Sequence, residues 1–406
     1  MEPNSQEKVT PARPSTSLEV GDRLTVEIGP VAHGGHFVAR HEGRVLFVRH
    51  GLTGEKCLVE ITQVTSKLCR ADVVKVLEAS PHRVAAPCRF ARPDGCGGCD
   101  FQHVEINHQR ELKRSIIREQ FSRLGKIEID LDVIGVEPSN GLHWRTRMDF
   151  AIGAHGKPGL YSSRSKEVIE IDKCLIAVEQ MENPAFFDRA WKGDDRLEVA
   201  VSSAGEMNVS RGGRSISGPT QLHETVNNFE YEISPTSFWQ SHTAAPATLM
   251  KRVMDLLALR VGDHVCDLYG GVGLFTAPMT QDVGLAGKVH LIESSYRAIQ
   301  DAAKIFKDEK QVEIHEGRVE AKLPLIRKID VILLDPPRTG AGESVVKAMV
   351  KAKPRTIVYV SCDPASLARD ARLLEDSGYL MDHIVGFDLF PMTQHVETVA
   401  RFTPAK

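Results

Sequence analysis

The run Ile357-Val-Tyr-Val-Ser-Cys-Asp-Pro364 joins a strand pattern to a helix start. β-Branched and aromatic residues up to Val360 fit a buried parallel strand, while Asp363 and Pro364 suit the N-cap and first turn of a helix expected over Ala365 to Glu375. Cys362 therefore sits at a strand-to-helix switch. A helix N-terminus favours thiolate over thiol, which is what a cysteine that attacks an electrophile requires. The plain alternative is a small hydrophobe filling the corner.

Three further stretches carry chemistry. Val265-Cys-Asp-Leu-Tyr-Gly-Gly-Val-Gly-Leu-Phe275 reads as a strand entering a glycine loop and then a helix, and Glu293 ends the next strand, where a carboxylate can bind ribose hydroxyls. Gly270, Gly271 and Gly273 do not have the dinucleotide spacing, so a nucleoside with an uncharged linker, such as S-adenosylmethionine, is favoured over a pyrophosphate. A tight turn with no ligand is the alternative. Asp335-Pro-Pro-Arg-Thr-Gly340 follows the apolar Val331-Ile-Leu-Leu. Methyltransferases of exocyclic amino groups have a similar Asp/Asn-Pro-Pro, but an aromatic residue stands where this chain has Arg338. Phe390-Pro-Met-Thr-Gln-His-Val-Glu397 offers two proton acceptors, His395 and Glu397, either of which could also be a surface residue of a hairpin.

Of the eight cysteines, Cys88 and Cys96-Gly-Gly-Cys99 cluster, with Cys174 far downstream. Cys57, Cys69 and Cys266 lie in apolar strand runs and read as packing residues. A lone Cys-x-x-Cys is compatible with redox, zinc or iron–sulfur chemistry, and the two glycines allow a tight fold around a large inorganic core.

Elements must bring these residues together. Strand candidates His264 to Tyr269, Lys288 to Glu293, Val312 to Glu316, Asp330 to Leu334 and Thr356 to Val360 alternate with helices, the pattern of a parallel sheet covered on both faces. His383 to Phe390 and Val396 to Phe402 suit a terminal hairpin, and a doubly wound sheet with a reversed last strand fits class I methyltransferases better than nicotinamide dehydrogenases. Ligands of such sheets gather at the carboxyl ends of the strands. Upstream, short alternating runs between Gly21 and Val74 predict a small closed β-barrel. Glu105 to Leu124 predicts a helix closed by Gly125. Its apolar positions are Leu112, Ile116, Ile117, Phe121 and Leu124, and its other face carries Arg110, Lys113, Arg114, Arg118 and Arg123, either a phosphate-facing stripe or a solvated face.

A chain of 406 residues implies two or three domains. A net charge of −3 means that any nucleic-acid surface must be a local basic patch. No apolar run is long enough to span a bilayer, and Met1 to Ser17 reads as a loose tail without the apolar segment of a signal peptide, so a cytoplasmic location is expected. Reduced thiols belong with that location.

Five motifs in order, Phe238-Trp-Gln-Ser-His242, the Asp267 glycine loop, Asp335-Pro-Pro-Arg338, Ser361-Cys-Asp-Pro364 and Thr393-Gln-His-Val-Glu397, resemble the RNA uracil-C5 methyltransferase family, in particular its members acting on ribosomal RNA. The resemblance covers nearly the whole chain. It implies a tail over 1–17, an OB-like TRAM barrel over 18–78, a central α+β iron–sulfur and RNA-binding domain over 79–234, and a class I, Rossmann-like methyltransferase domain over 235–406, with the 105–124 helix able to pack on the latter. It also implies Cys362 as nucleophile and Glu397 as base. Gln240, Tyr269, Glu293 and Asp335 would contact the methyl donor or target base, and Cys88, Cys96, Cys99 and Cys174 would hold a [4Fe-4S] cluster. The substrate would be a uridine in 23S rRNA, with tRNA as the alternative. Three positions depart from the family's pattern: cysteine is frequent where Gly270 stands, asparagine where His242 stands, and an asparagine occurs in the region of Ala302-Ala-Lys304. A cytosine-C5 enzyme generally uses two cysteines in its catalytic domain, whereas Cys266, the only other one here, lies inside a strand. A non-catalytic iron–sulfur RNA-binding protein is the rival from another class.

Overall fold

The computed structural model describes residues 18–193 and 196–405; the tail expected over 1–17 lies outside them. The chain divides into two compact units, residues 1–30 with 36–80, and residues 31–35 with 81–406.

In the smaller unit, β1 (Arg23–Ala32), β2 (His36–His41), β3 (Arg44–Arg49), β4 (Lys56–Val64) and β5 (Cys69–Glu78) close into a barrel in the order β1-β2-β3-β5-β4. Alternate residues point inward, as period-2 patterning dictates: Val26, Ile28, Phe37, Leu46, Val48, Val59 and Ile61 are buried, with Cys57 and Cys69 among them. The buried Glu55 carboxylate accepts from the backbone N–H groups of Leu52 and Ser80, at 2.9 and 3.2 Å.

The described residues of the larger unit form three sheets. β6 (Val133–Gly135) belongs to the last of them. β7 (Arg147–Ile152), β8 (Pro158–Tyr161), β9 (Val168–Glu170), β10 (Leu197–Val201), β11 (Met207–Arg211) and β12 (Arg214–Ser217) form a six-stranded sheet in the order β12-β11-β10-β7-β8-β9. β13 (Leu222–Val226) and β14 (Phe229–Ile233) form a hairpin. β15 (His264–Leu268), β16 (Lys288–Glu293), β17 (Val312–Glu316), β18 (Val331–Leu334), β19 (Thr356–Ser361), β20 (Tyr379–Asp388) and β21 (Glu397–Pro404) complete an eight-stranded sheet in the order β17-β16-β15-β18-β19-β21-β20-β6. Its first five strands are mutually parallel, and β21 runs antiparallel to both β19 and β20.

Among the described residues eight α-helices accompany these sheets: α1 (Ile106–Gln120), α2 (Pro184–Phe187), α3 (Ala245–Leu257), α4 (Thr276–Val283), α5 (Tyr296–Ile305), α6 (Val319–Lys322), α7 (Gly342–Ala352) and α8 (Pro364–Asp376). Because the inner parallel strands β15, β16, β18 and β19 are buried on both faces, each of them contributes to two cores. Val265, Val289, Val331 and Val358 pack with Leu249, Val253 and Leu257 of α3 and Met279 of α4. Cys266, Leu268, Ile332 and Tyr359 pack on the other side with Met349 of α7 and Leu367 and Leu374 of α8. Cys266 is thus a packing residue.

Ile117 of α1 and Phe121 join this second core, and β6 extends the same sheet alongside β20, so the segment from α1 to β6 is built onto the eight-stranded sheet. Glu105 caps α1 by accepting from Asn107 and His108 N–H. The helix widens into a π turn over Phe121–Gly125, and Lys126, not Gly125, takes the left-handed conformation (φ +56°) that ends it. Gly125 serves close approach instead: a Cβ there would stand 3.0 Å from the Ala368 carbonyl oxygen of α8.

The basic stripe of α1 does not present itself as one. Lys113 is wholly buried and donates to Asp388 and to the Phe390 carbonyl oxygen, Arg110 pairs with Asp388, Arg114 with Asp130 and Arg123 with Glu119. Burying a lysine in pairing geometry ties α1 to β20. Among the described residues no helix is long and apolar enough to cross a membrane.

Candidate active site

The pairing of β19 with β21 sets the central geometry. Ser361 lies opposite Thr398, so the residues one step further out, Cys362 and Glu397, leave the ladder facing each other. Thr398 Oγ1 donates to the Ser361 carbonyl oxygen at 3.1 Å and locks that end of the register. Asp363 Oδ1 accepts from Ser366 N–H at 2.7 Å, capping α8 immediately behind the cysteine.

Electrostatics there reverse the expectation of a resting thiolate. Burial pushes the Cys362 thiol up to about 12, the negative charges of Glu397 and Asp335 push in the same direction, and only the Arg338 guanidinium opposes them. The helix N-terminus is outweighed chiefly because a thiolate there would be half-dry, and the acidic neighbours add to that penalty. Glu397 is itself only 4% exposed, and burial followed by Asp335 holds its carboxyl well above the usual carboxylate range, against Arg338. Burial and then Asp267 raise Asp335 to about 7, against the hydrogen bond it accepts from Gln240 Nε2 at 3.3 Å. His395 is pushed down to about 4 by burial and then by the nearby Arg338 charge, so its ring is neutral at physiological pH.

The loop that carries Arg338 is held against α8 at Ala341. Asp370 accepts from Tyr359 OH (2.7 Å) and from Ala341 N–H (2.8 Å), tying the loop after Asp335 to the helix that follows Cys362. Asp301 works similarly on the segment before Gln240, accepting from Ser234 N–H, Ser234 Oγ and Ser237 Oγ. Sequence reading missed both acids. The available signal was their phase: Asp301 follows Ala298 by three, and Asp370 lies three after Leu367 and four before Leu374, so each occupies the apolar face of its helix.

The glycine loop between β15 and α4 adjoins this edge. Gln240, Tyr269, Gly270, Gly271 and Asp335 line one small cavity together with the exposed Phe238. Tyr269 is held at φ +61°, an unusual conformation for an aromatic residue and one that turns the chain sharply off the strand end. Gly273 is obligatory, since at φ +94° a Cβ would come within 2.3 Å of the Phe306 ring. Glu293 accepts from Gly271 N–H at 3.1 Å and from Ser294 and Ser295 N–H at 2.6 Å, which fixes its carboxylate beside the loop. Asp267, pushed up to about 7 by burial, accepts from Thr276 Oγ1 at 2.6 Å.

The three departures have local explanations. A Cβ on Gly270 would stand 2.9 Å from Leu291 Cγ, so this packing admits glycine. His242 Nδ1 accepts from Ala244 N–H at 3.0 Å, a bond an asparagine oxygen also makes, and its ring stacks on Trp144. Ala302 is fully buried with Leu291 and Phe306, leaving no polar group there.

A second assembly lies in the central region. Cys88, Cys96, Cys99 and Cys174 line one cavity of about 420 Å³, together with apolar Phe90, Met148, Leu160 and Ile171. Burial pushes the Cys99 thiol well above its ordinary value and the neighbouring Cys174 adds to it; Cys174 is raised by burial too. Gly97 permits the tight loop, since a Cβ would stand 2.7 Å from the Ser163 nitrogen. Four thiolates around one zinc at about 2.3 Å would stand about 3.8 Å apart, whereas no three of these thiols gather within 4.8 Å of one another. The cavity shares Phe238 and Trp239 with the surroundings of Gln240.

Comparison with known proteins agrees with this geometry. Residues 326–402 match the tRNA (Uracil-5-)-methyltransferase family, residues 17–74 match the TRAM domain, and residues 214–321 match the protein-L-isoaspartate(D-aspartate) O-methyltransferase family. An RNA methyltransferase of Streptomyces avermitilis is 40% identical over 95% of this chain and 99% of its own. The 23S rRNA (uracil(1939)-C(5))-methyltransferase RlmD of Shewanella halifaxensis is 28% identical over 96% of this chain and 98% of its own. Among solved structures, the tRNA (uracil-54, C5)-methyltransferase of Pyrococcus abyssi, in complex with S-adenosyl-L-homocysteine, superposes with a TM-score of 0.70 at 23% identity, covering 94% of this chain and all of that one, which shows a shared fold. With the TRAM barrel, the class I sheet and whole-length relatives in agreement, the chain belongs to the RNA uracil-C5 methyltransferase family.

Proposed function

We propose that this chain methylates C5 of a uridine in 23S rRNA, using S-adenosylmethionine, through a covalent bond between Cys362 and C6. The observation that carries the reading is the placement of a lone thiol across the β19–β21 register from a buried carboxyl group, with Asp335, whose charge is felt by both, also lining the glycine-loop cavity.

Uracil C5 is too weak a nucleophile to accept a methyl group unaided. Addition of Cys362 Sγ to C6 moves electron density onto C5 and O4. Donors beside O4 stabilise the enolate, and Gln240 Nε2 is the candidate, with Tyr269 and Glu293 holding the nucleoside of the methyl donor. C5 then attacks the electrophilic methyl of S-adenosylmethionine, the second substrate, forming the C5–methyl bond as the methyl–sulfonium bond breaks and S-adenosylhomocysteine departs. Glu397 then takes the C5 proton, the C6–sulfur bond breaks, and Cys362 is restored. The resting site holds protons on Cys362 and Glu397. The incoming sulfonium adds a positive charge beside Asp335 and draws these acids toward their ionised forms. Because C6 is sheltered in a stacked helix, the target uridine must be unstacked or flipped out. The ribosomal substrate is supported by the RlmD relative; a tRNA uridine is the alternative.

The four cysteines of the central cavity fit a [4Fe-4S] cluster better than a single zinc, because they surround a roomy, apolar space and are spread more widely than zinc ligands. Such a cluster would supply a cationic core that stabilises the four thiolates.

RNA containing 5-fluorouridine tests the chemistry, since fluorine at C5 cannot leave as a proton. In the presence of S-adenosylmethionine the wild-type chain should form an adduct stable to denaturing electrophoresis, and Cys362→Ala should form none and lose methylation by at least about 10⁴-fold. An adduct persisting in Cys362→Ala, or methylation without any adduct, would overturn the covalent route.

A further inference from the structure

A second cluster of metal-ligating side chains lies on the edge strand β17 and its neighbour β16 in the eight-stranded sheet. His290 on β16 stands in register with Glu313 on β17, and His315 follows two residues later on the same face. His290 Nδ1 is 3.2 Å from His315 Nε2 and 3.3 Å from Glu313 Oε2, and the three ligand atoms all lie within 4.8 Å of one another. Three ligands at about 2.0–2.1 Å from a tetrahedral zinc would be separated by about 3.3–3.4 Å. Two of the three separations already match.

We propose that His290, Glu313 and His315 bind a divalent transition cation, zinc in the first instance, with water in the remaining position.

The surroundings suit such a site. His290 is 7% exposed, His315 is half-buried and Glu313 faces solvent, so one ligand is fixed in the core and an ion can enter from the other side. Lys288 Nζ lies 3.1 Å from Glu313 Oε1, leaving Oε2 turned toward the histidines, the kind of outer contact that orients a ligating carboxylate. The other charged or titratable neighbours are His264, whose ring centroid is 6.0 Å from that of His290, and Lys322, whose charge is felt at His315. Burial keeps both cluster imidazoles neutral, so each has an electron pair to offer. Nitrogen and oxygen ligands of this kind favour zinc, copper or nickel over calcium or magnesium.

One feature limits affinity. His290 Nε2 is buried without a partner. Without metal, the ring proton belongs on Nδ1, between His315 and Glu313; coordination moves it to Nε2, where it has no acceptor. Binding in the micromolar range is therefore expected. Its consequence is structural: Glu293 lies three residues beyond His290 on β16, and its carbonyl oxygen accepts from Gly317 N–H just after β17, so an ion here would staple the strand pair that carries Glu293.

The test uses untagged full-length protein carrying whatever iron it holds, with one equivalent of Zn²⁺ added. X-ray absorption at the zinc edge should show only nitrogen and oxygen neighbours, and competition with a chromophoric chelator should show affinity falling at least about tenfold in Glu313→Gln and in His315→Ala. Glu313→Gln is nearly isosteric at an exposed position, so it guards against a folding defect, and unchanged circular dichroism and iron content check both variants. Absence of zinc binding, a sulfur shell (which would place the ion among the cysteines), or undiminished affinity in both variants would overturn the proposal.

Discussion

Cys362 and Cys99 are both pushed above the ordinary thiol range by burial, yet what surrounds them differs. Cys362 faces Glu397 and Asp335, with Arg338 as the single opposing charge; Cys99 faces other thiols across a mainly apolar cavity whose lining also includes Arg145, Arg147, Asp149 and Lys173. A sulfur among carboxylates has protons nearby to exchange and a cation to help it ionise, which suits a bond made and broken in each cycle. Four sulfurs around a mainly apolar space have no buried carboxyl among them to exchange protons with, and although Arg145 favours the Cys174 thiolate, four thiolates together call for a positive core between them. In both regions the unliganded fold holds protons that a cationic partner would displace, a sulfonium in one and a metal cluster in the other.

The comparison is broken most directly at Glu397. If it is the base that acts after methyl transfer, Glu397→Gln should lower kcat by about 10²–10⁴-fold while allowing Cys362 to add, so that adduct accumulates even on RNA with ordinary uridine. Denaturing electrophoresis with labelled RNA reads this out. A variant with neither turnover nor adduct would instead make Glu397 part of the scaffold that positions Cys362.

The other side of the comparison is tested at Cys99. Cys99→Ser should lose the brown colour and bring iron from about four per chain to a small fraction of that, with a fall of several degrees in Tm, because an apolar cavity with three remaining thiols is left without its core. A colourless wild-type protein carrying stoichiometric zinc on sulfur would refute the iron–sulfur assignment.

Much of this arrangement is legible in the sequence because it is local. The strand run to Val360, the Asp363 cap and the glycine loop are each written within about a dozen residues, and their positions at strand ends follow from the βα pattern. The protonation of Cys362 is not local: it comes first from burial in the folded site and then from Glu397, 35 positions away in the chain, and Asp335, none of which weighs on the helix-dipole argument until the fold and the register of β19 and β21 are known. The fate of the α1 arginines and Lys113 is likewise decided by Asp388 and Asp130, so a stripe that reads as free for phosphate is largely occupied. β6 is three residues long, too short for any periodicity, and only the sheet edge it joins reveals it.

The smallest expected effect concerns stability. Asp335 ionises near 3.8 in an unfolded chain and about 7 in the fold, chiefly through burial. Between those values the folded protein keeps a proton that the unfolded one has lost. Its contribution is therefore complete below about 3.8 and is lost as pH rises through about 7, a difference on the order of 2–4 kcal/mol. Glu397, also raised, acts in the same direction. Asp335→Asn removes one ionisable group while keeping an oxygen to accept from Gln240. Without ligands it should melt at higher temperature than wild type at pH 8 and show a flatter fall in Tm from pH 5 to 8, although methylation is lost. S-adenosylmethionine should narrow the gap by stabilising wild type more, since its charge rewards an ionised Asp335. Thermal scans across that pH range, with and without the methyl donor, decide the matter: equal slopes in the two proteins would mean that Asp335 is already ionised in the resting site and that the carboxyl cluster does not wait for a cation.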